Sequence, residues 1–282
     1  MPIEPNAFAD SPEFLRLIRG EHEPDLMLLA LEIARDAYPD LDASSYVLQI
    51  DRLADRVRDR CPQGASARHI LGQINWVLYV EEKFEGDTEN YYDARNSYLN
   101  EVIERKLGIP MSLSLLYLAV AERLGLAMSG VNLPAHFIIR AGNGSGTIFV
   151  DPYHGGKLLD REGCEALAAE VLGREPEPLS DAALAPCPTR ILVARMLRNL
   201  KAAHLREHDF VSALPVLRRL VALDKDDPEE KRDLGVSCLH AGRPGEAIDH
   251  LKHYLNARPK ASDAEDVAAM LKVARLEIAS WN

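Results

Sequence analysis

Residues 108–126, GIPMSLSLLYLAVAERLGL, constrain the fold more than any other stretch of the chain. A glycine and a proline open the run and a glycine closes it. Between them Leu113, Leu115, Leu116, Leu118, Val120 and Leu124 leave almost no polar face at about 3.6 residues per turn. A helix that is apolar all round must be enclosed by other elements, so residues 110–124 form the centre of a domain. Pro110 suits the first helical position, where a missing N–H costs nothing. Ser112 and Ser114 fall in the first turns, near the positive end of the helix dipole. That position stabilises an oxyanion or thiolate, but a serine there also serves simply to solvate free helix donors.

The flanking sequence says what encloses this helix. Residues 12–36 carry apolar side chains at helical spacing, broken at GEHEP (20–24) into two helices. Residues 43–60 and 66–84 continue as helices, so the first third shows no strand pattern. GDTENYYDARNS (86–97) reads as a loop, and YLNEVIERKLG (98–108) as a short amphipathic helix. Beyond the central helix, NLPAHFIIR (132–140) and TIFVDPY (147–153) alternate in strand fashion around the turn AGNGSG (141–146) and form a hairpin. HGGKLL (154–159) can start another short strand, and EALAAEVLG (165–173) is a helix. The fold class is α+β, mostly helical. EPEPLSDAALAPCPT (175–189) is Pro-rich and reads as a linker, giving regions 1–174 and 190–282 on either side.

The last region repeats with a period of 34. Leu200, Leu205, Ala213, Leu214, Leu217 and Val221 recur as Leu234, Leu239, Ala247, Ile248, Leu251 and Leu255. Paired helices at this period are the tetratricopeptide signature, and residues 235–259 resemble such a repeat, including Gly235, Gly242, Ala247 and Pro259. A helix over 263–280 caps the stack. Single repeats cannot bury their apolar face, so the units must lean on neighbours. Repeats of this kind mostly bind proteins, so a protein partner is expected at the C-terminal helices.

Charge divides the chain at the same place. Residues 1–187 hold 17 Lys and Arg against 30 Asp and Glu, while residues 188–282 hold 16 against 14. The acidic first part repels phosphates, and the second part has no basic block, so nucleic-acid binding is not expected. No charge-free run of 18 apolar residues predicts a membrane span, and the first residues lack a basic-then-apolar leader pattern. Cys61, Cys164, Cys187 and Cys238 are widely spaced without a CxxC, which reads as reduced thiols in a cytoplasmic protein.

The hairpin carries the sharpest chemical hint. If Arg140 and Thr147 close the turn as a facing pair, His136 faces Asp151 across the strands, with Cβ atoms about 5 Å apart. A carboxylate at that distance orients an imidazole and stabilises its charged form, as in a catalytic dyad; the alternative is a structural hydrogen bond at a strand end. A one-residue slip would break the pairing. His204 with His208, and His250 with His253, have helical spacing for a metal but no third ligand, so no metal and no other cofactor is expected.

NYYDARNSYLNEVIERKLGIPMSLSLLYLAVAERLGL, followed by GVNLPAHFIIR and FVDPYHGGKLL, resembles the SirB-type family of bacterial transglutaminase-like proteins over roughly residues 70–160. The resemblance implies a papain-like core, a central helix packed on a small antiparallel sheet. It further implies a triad of cysteine at the helix start and histidine and aspartate on successive strands. His136 and Asp151 match the last two. The cysteine slot, which follows Gly108 by two residues and precedes Gly125 by fifteen, holds Pro110. Thiol acyl transfer is therefore not expected. Ser112 lies about 200° further round the helix and is the remaining candidate nucleophile. Three readings stay open: a regulatory interaction protein without the nucleophile, a hydrolase or acyl transferase using Ser112 with His136 and Asp151, and a scaffold whose repeats alone are functional.

Overall fold

The computed structural model describes residues 8–21, 23–142 and 146–280. Residues 143–145 of the expected AGNGSG turn, and residues 1–7 of the expected leaderless start, lie outside the described residues. The chain divides into two compact units, one of residues 8–196 and one formed chiefly by residues 197–282.

The first unit opens with four helices, α1 (Pro12–Arg19), α2 (Leu26–Ala34), α3 (Ala43–Asp59) and α4 (Ala67–Asn75). Asp25, Asp42 and Ser66 cap α2, α3 and α4 with their side-chain oxygens. α1 is capped from elsewhere: the buried Glu32 of α2 accepts from the backbone N–H groups of Glu13 and Phe14 at 2.9 and 3.0 Å. The helix predicted over 66–84 ends earlier, at Glu81, and its last turn (Trp76–Glu81) is a π-helix. Two short segments not expected as strands, Glu85–Gly86 (β1) and Leu107–Gly108 (β2), pair in parallel. Between them lie a 3₁₀ turn (Ala94–Asn96) and α5 (Leu99–Arg105).

β2 delivers the chain into α6 (Pro110–Arg123). Eleven of its residues are buried, on all sides, as the apolar pattern requires. Each fully buried leucine contributes about 1.5–3 kcal/mol, so this helix anchors the unit. A four-stranded antiparallel meander follows, with β3 (Met128–Val131), β4 (Ile138–Ala141), β5 (Ile148–Asp151) and β6 (Lys157–Leu159) in spatial order. β3 was not foreseen, because MSGV lacks a strand-like alternation.

The hairpin register differs from the expected one. Arg140 faces Phe149, and Ala141 with Ile148 closes the turn. Ala141 also pairs with Met128 of β3, which holds it in the sheet and moves the turn one residue along. Thr147 is left outside the strand, where its hydroxyl meets the Arg140 guanidinium at 3.2 Å. The change is even-numbered in pairing, so side chains keep their faces. Val131, Ile138, Phe149 and Leu159 pack with Cys164 and Leu167 of α7 (Arg161–Leu172) on one face. α6 contacts β3 and β4.

The Pro-rich stretch 175–189 lies against this layer. Leu184 is buried within it, Arg140 Nη1 donates to Leu184 O at 2.9 Å, and Cys187 N donates to Gly130 O at 2.7 Å. The division between units falls later than the linker, inside α8 (Thr189–Arg206).

The second unit continues with α9 (Phe210–Leu223), α10 (Pro228–His240), α11 (Pro244–Ala257) and α12 (Ala264–Ser280). The residues that repeat at a period of 34 form its core, with Ala213, Leu214, Leu217, Leu234, Ala247 and Leu251 all buried together. α10 and α11 approach closely because Gly235 has no side chain: a Cβ there would stand 2.8 Å from Leu251 Cδ2. The capping helix adds Val267, Leu271 and Ala274. No described helix is long and apolar enough to cross a membrane.

Candidate functional site

β5 ends at Asp151, and the chain turns at once into a 3₁₀ helix (Pro152–His154). Asp151 is fully buried, and Tyr153 N donates to its Oδ1 at 3.1 Å. This contact caps the 3₁₀ turn and fixes the carboxylate. His136 stands in the loop before β4, two residues outside the strand. A turn from Leu133, with Ala135 at φ 56°, aims it back at the sheet. Arg195 holds that loop by donating to Asn132 Oδ1 and to Leu133 O, with its guanidinium 5.5 Å from the Phe137 ring.

His136 Nε2 meets Asp151 Oδ1 at 3.0 Å, so the two residues singled out in the hairpin are hydrogen-bonded. They meet from loop and strand end, because the register puts Asp151 beyond the last paired residues of β4. A neutral His136 that donates Nε2–H leaves Nδ1 as an acceptor, and Nδ1 makes no hydrogen bond among the described residues. Burial raises the Asp151 carboxyl, but His136 and then His154, by hydrogen bond and charge, outweigh it and hold the group below the ordinary carboxylate range.

His154 is the site residue that sequence reasoning missed. Its Nδ1 lies 2.6 Å from Asp151 Oδ2, and its ring stacks on that of His136 with centroids 5.7 Å apart. The ring is half exposed, whereas His136 is buried. The signal was present in DPYH, where Asp151 and His154 are three residues apart, but that spacing brings side chains together only in a helical turn. Among the described residues, His136, Asp151 and His154 are the group of three that could hold a metal ion, with one ligand atom from each within 4.8 Å of the others. His204 instead meets Asp209 at 3.4 Å, and His253 meets Lys231 at 3.0 Å.

The turn after His154 is tied to two helices. Asn75 Nδ2 donates to Gly156 O at 2.6 Å, and Tyr117 of α6 donates to Asn75 Oδ1 at 2.9 Å. Tyr153 lies over Gly86, where a Cβ would come within 2.4 Å of its ring, and its hydroxyl donates to Asp87 O at 3.2 Å. Asp87 in turn organises the 86–97 loop, accepting from Glu89 N, Asn90 N and Asn96 Nδ2.

Ser112 belongs to this framework. Its Oγ donates to Asn96 O at 2.5 Å and accepts from Ile109 N at 3.1 Å. Both contacts are buried, and Ser112 has no hydrogen bond to His136 among the described residues. The hydroxyl caps the start of α6 and fastens the loop to it. Ser114 Oγ is buried without a hydrogen-bond partner among the described residues. None of the four cysteines hydrogen-bonds His136 among the described residues. Burial pushes the Cys164 thiol up to about 12 and that of Cys238 up to about 11. Alkylation of the native protein at pH 8 should therefore modify the partly exposed Cys61 and Cys187 and spare Cys164 and Cys238, with all four reacting in denaturant. Mass mapping of the modified peptides reads this directly; rapid native labelling of Cys164 would contradict its burial.

A family model described as the transglutaminase-like superfamily matches residues 44–198, just over half of the chain. The chain belongs to the transglutaminase-like superfamily. A tetratricopeptide repeat model matches residues 200–272. A UPF0162 protein of Xylella fastidiosa is 36% identical over 250 residues, covering 87% of this chain and 88% of the relative. Another, of Vibrio cholerae, is 31% identical over 192 residues, or 67% and 70% of the two chains. F-box only protein 21 of Mus musculus is 40% identical over 109 residues, 36% of this chain but only 17% of that protein. The combination agrees with the SirB-type resemblance: a transglutaminase-like core around α6 and the meander, followed by tetratricopeptide-like repeats. Such repeats generally mediate protein–protein interaction.

Proposed function

We propose that this is a cytoplasmic interaction and regulatory protein whose transglutaminase-like unit carries no nucleophile, and whose helical repeats engage a protein partner. The bonding of Ser112 carries the reading. A serine nucleophile needs its proton within hydrogen-bond reach of a base, about 2.6–3.2 Å. Ser112 gives its proton to a backbone carbonyl and its lone pair to a backbone N–H, and Pro110 beside it has no nucleophilic atom. Using Ser112 for catalysis would undo the cap of α6 and the anchor of the 86–97 loop. The four free thiols support a reducing compartment.

The rival reading is an active hydrolase using Ser112, favoured by the His136–Asp151 hydrogen bond, which a catalytic dyad also requires. An acyl-type activity probe separates the two. No labelling of the full-length protein is expected; labelling that disappears in Ser112→Ala would establish the hydrolase. Affinity capture tests the remaining part. A partner held by the repeats should be recovered equally by wild type and His136→Ala, and loss in His136→Ala would move binding to the first unit.

A further inference from the structure

We propose that His136, Asp151 and His154 bind one divalent metal ion of the zinc class. The observation behind this is an imbalance of charge. Asp151 is fully buried, and its ion-pair partners among the described residues are two imidazoles, which carry charge only when protonated. Lys157 faces it across the sheet and lines the same cavity, but is exposed and forms no ion pair with it among the described residues. A buried carboxylate without a permanent counter-charge is costly. A divalent cation supplies that charge while both imidazoles stay neutral, the form in which they ligate.

The donor set fits the ion. Two imidazole nitrogens and one carboxylate suit zinc and its neighbours, whereas calcium and magnesium prefer an all-oxygen shell. Tetrahedral zinc at about 2.0–2.1 Å from nitrogen and oxygen sets its donors about 3.3 Å apart. Here His136 Nε2 lies 3.0 Å from Asp151 Oδ1, His154 Nδ1 lies 2.6 Å from Asp151 Oδ2, and the three ligand atoms fall within 4.8 Å. Full coordination requires the half-exposed His154 ring to rotate toward the other two ligands. The carboxylate is already oriented by Tyr153 N, as supporting contacts orient ligands in metal sites.

Access exists as well. A cavity of about 590 Å³ is lined by Asp151 and His154. Arg68, Lys157, Asp160 and Glu170 also line it, and their charges cancel, leaving Asp151 as the unbalanced one. Asp151 and His154, though not the buried His136, line this cavity, and water from it would complete the coordination beside three protein ligands.

Equilibrium dialysis of the chelator-treated, full-length protein against Zn²⁺, with Co²⁺ absorption as a report of coordination, tests the assignment. One equivalent is expected to bind, raising the melting temperature and giving a visible Co²⁺ band. His154→Ala alters a half-exposed side chain and should fold normally, yet lose more than about 100-fold in affinity, beyond what the loss of a supporting partner costs. Asp151→Asn, which keeps the shape, should lose at least as much, while His208→Ala and His253→Ala should bind as wild type. Absence of one-equivalent binding, or undiminished affinity in His154→Ala or Asp151→Asn, would overturn the proposal and leave the three residues as a hydrogen-bonded cluster. Neither result bears on the Ser112 probe experiment, which reads nucleophilicity alone.

Discussion

Gly156→Ala should destabilise the first unit by about 3–5 kcal/mol, a large share of a domain's total stability. Two costs add. Gly156 has φ 74°, a left-handed conformation that costs a residue with a Cβ about 1–2 kcal/mol. The added methyl would also stand 2.1 Å from Asn75 Oδ1. Asn75 cannot simply swing aside, because its amide donates to Gly156 O and its oxygen accepts from Tyr117. Moving it breaks two hydrogen bonds, at about 1 kcal/mol each, and leaves the buried Tyr117 hydroxyl with only the 3.3 Å contact to Leu71 O. Gly155→Ala is the control. It shares the left-handed backbone, at φ 67°, but nothing lies within 4 Å of its Cβ position, so only the backbone cost of about 1–2 kcal/mol should appear. Urea unfolding followed by far-UV circular dichroism measures both; equal losses would refute the part assigned to Asn75.

In the second unit Leu251→Ala should cost about 2–5 kcal/mol, the usual range for emptying a leucine site in a tight core. Leu251 is fully buried in the cluster that joins α9, α10, α11 and α12, and it fills the space left open by Gly235. That contact makes a second variant informative. Gly235→Ala alone crowds Leu251 and should cost about 1–3 kcal/mol from overpacking, partly offset by about 1 kcal/mol of better helix propensity. Combined with Leu251→Ala, the new methyl occupies part of the cavity. The double variant should then be more stable than the sum of the single losses by about 0.5–3 kcal/mol. Strict additivity in thermal or urea unfolding would mean that the two residues do not share the space described.

Both predictions rest on glycines, and the two were not equally legible. Gly235 is one of the residues by which 235–259 resemble a tetratricopeptide repeat, so it was singled out in the sequence, although Lys201 stands 34 residues before it. Gly156 stands in HGGKLL, where nothing nearby in sequence announces Asn75, 81 residues away. The same contrast runs through the site. The His136–Asp151 hydrogen bond was foreseen from hairpin alternation even though the turn lies one residue further along than expected. His136 nevertheless reaches Asp151 from the loop before β4, through a turn with Ala135 at φ 56°, and not by strand pairing. His154 was not foreseen, because it meets Asp151 through a 3₁₀ turn after the strand ends.

What the amino-acid sequence determined by itself is whatever depends on neighbours along the chain. The enclosed helix α6, the β4–β5 hairpin, the repeats and the absence of a thiol at Pro110 are all set by local spacing and residue type. Only the tertiary structure decided where side-chain protons go. Ser112 is engaged by Asn96 O, sixteen residues earlier, and the carboxylate of Asp151 is shared between imidazoles from the loop before β4 and the turn after β5. Hydrogen bonds of a few ångströms depend on the packing of separate elements against one another, and local periodicity carries no record of that packing.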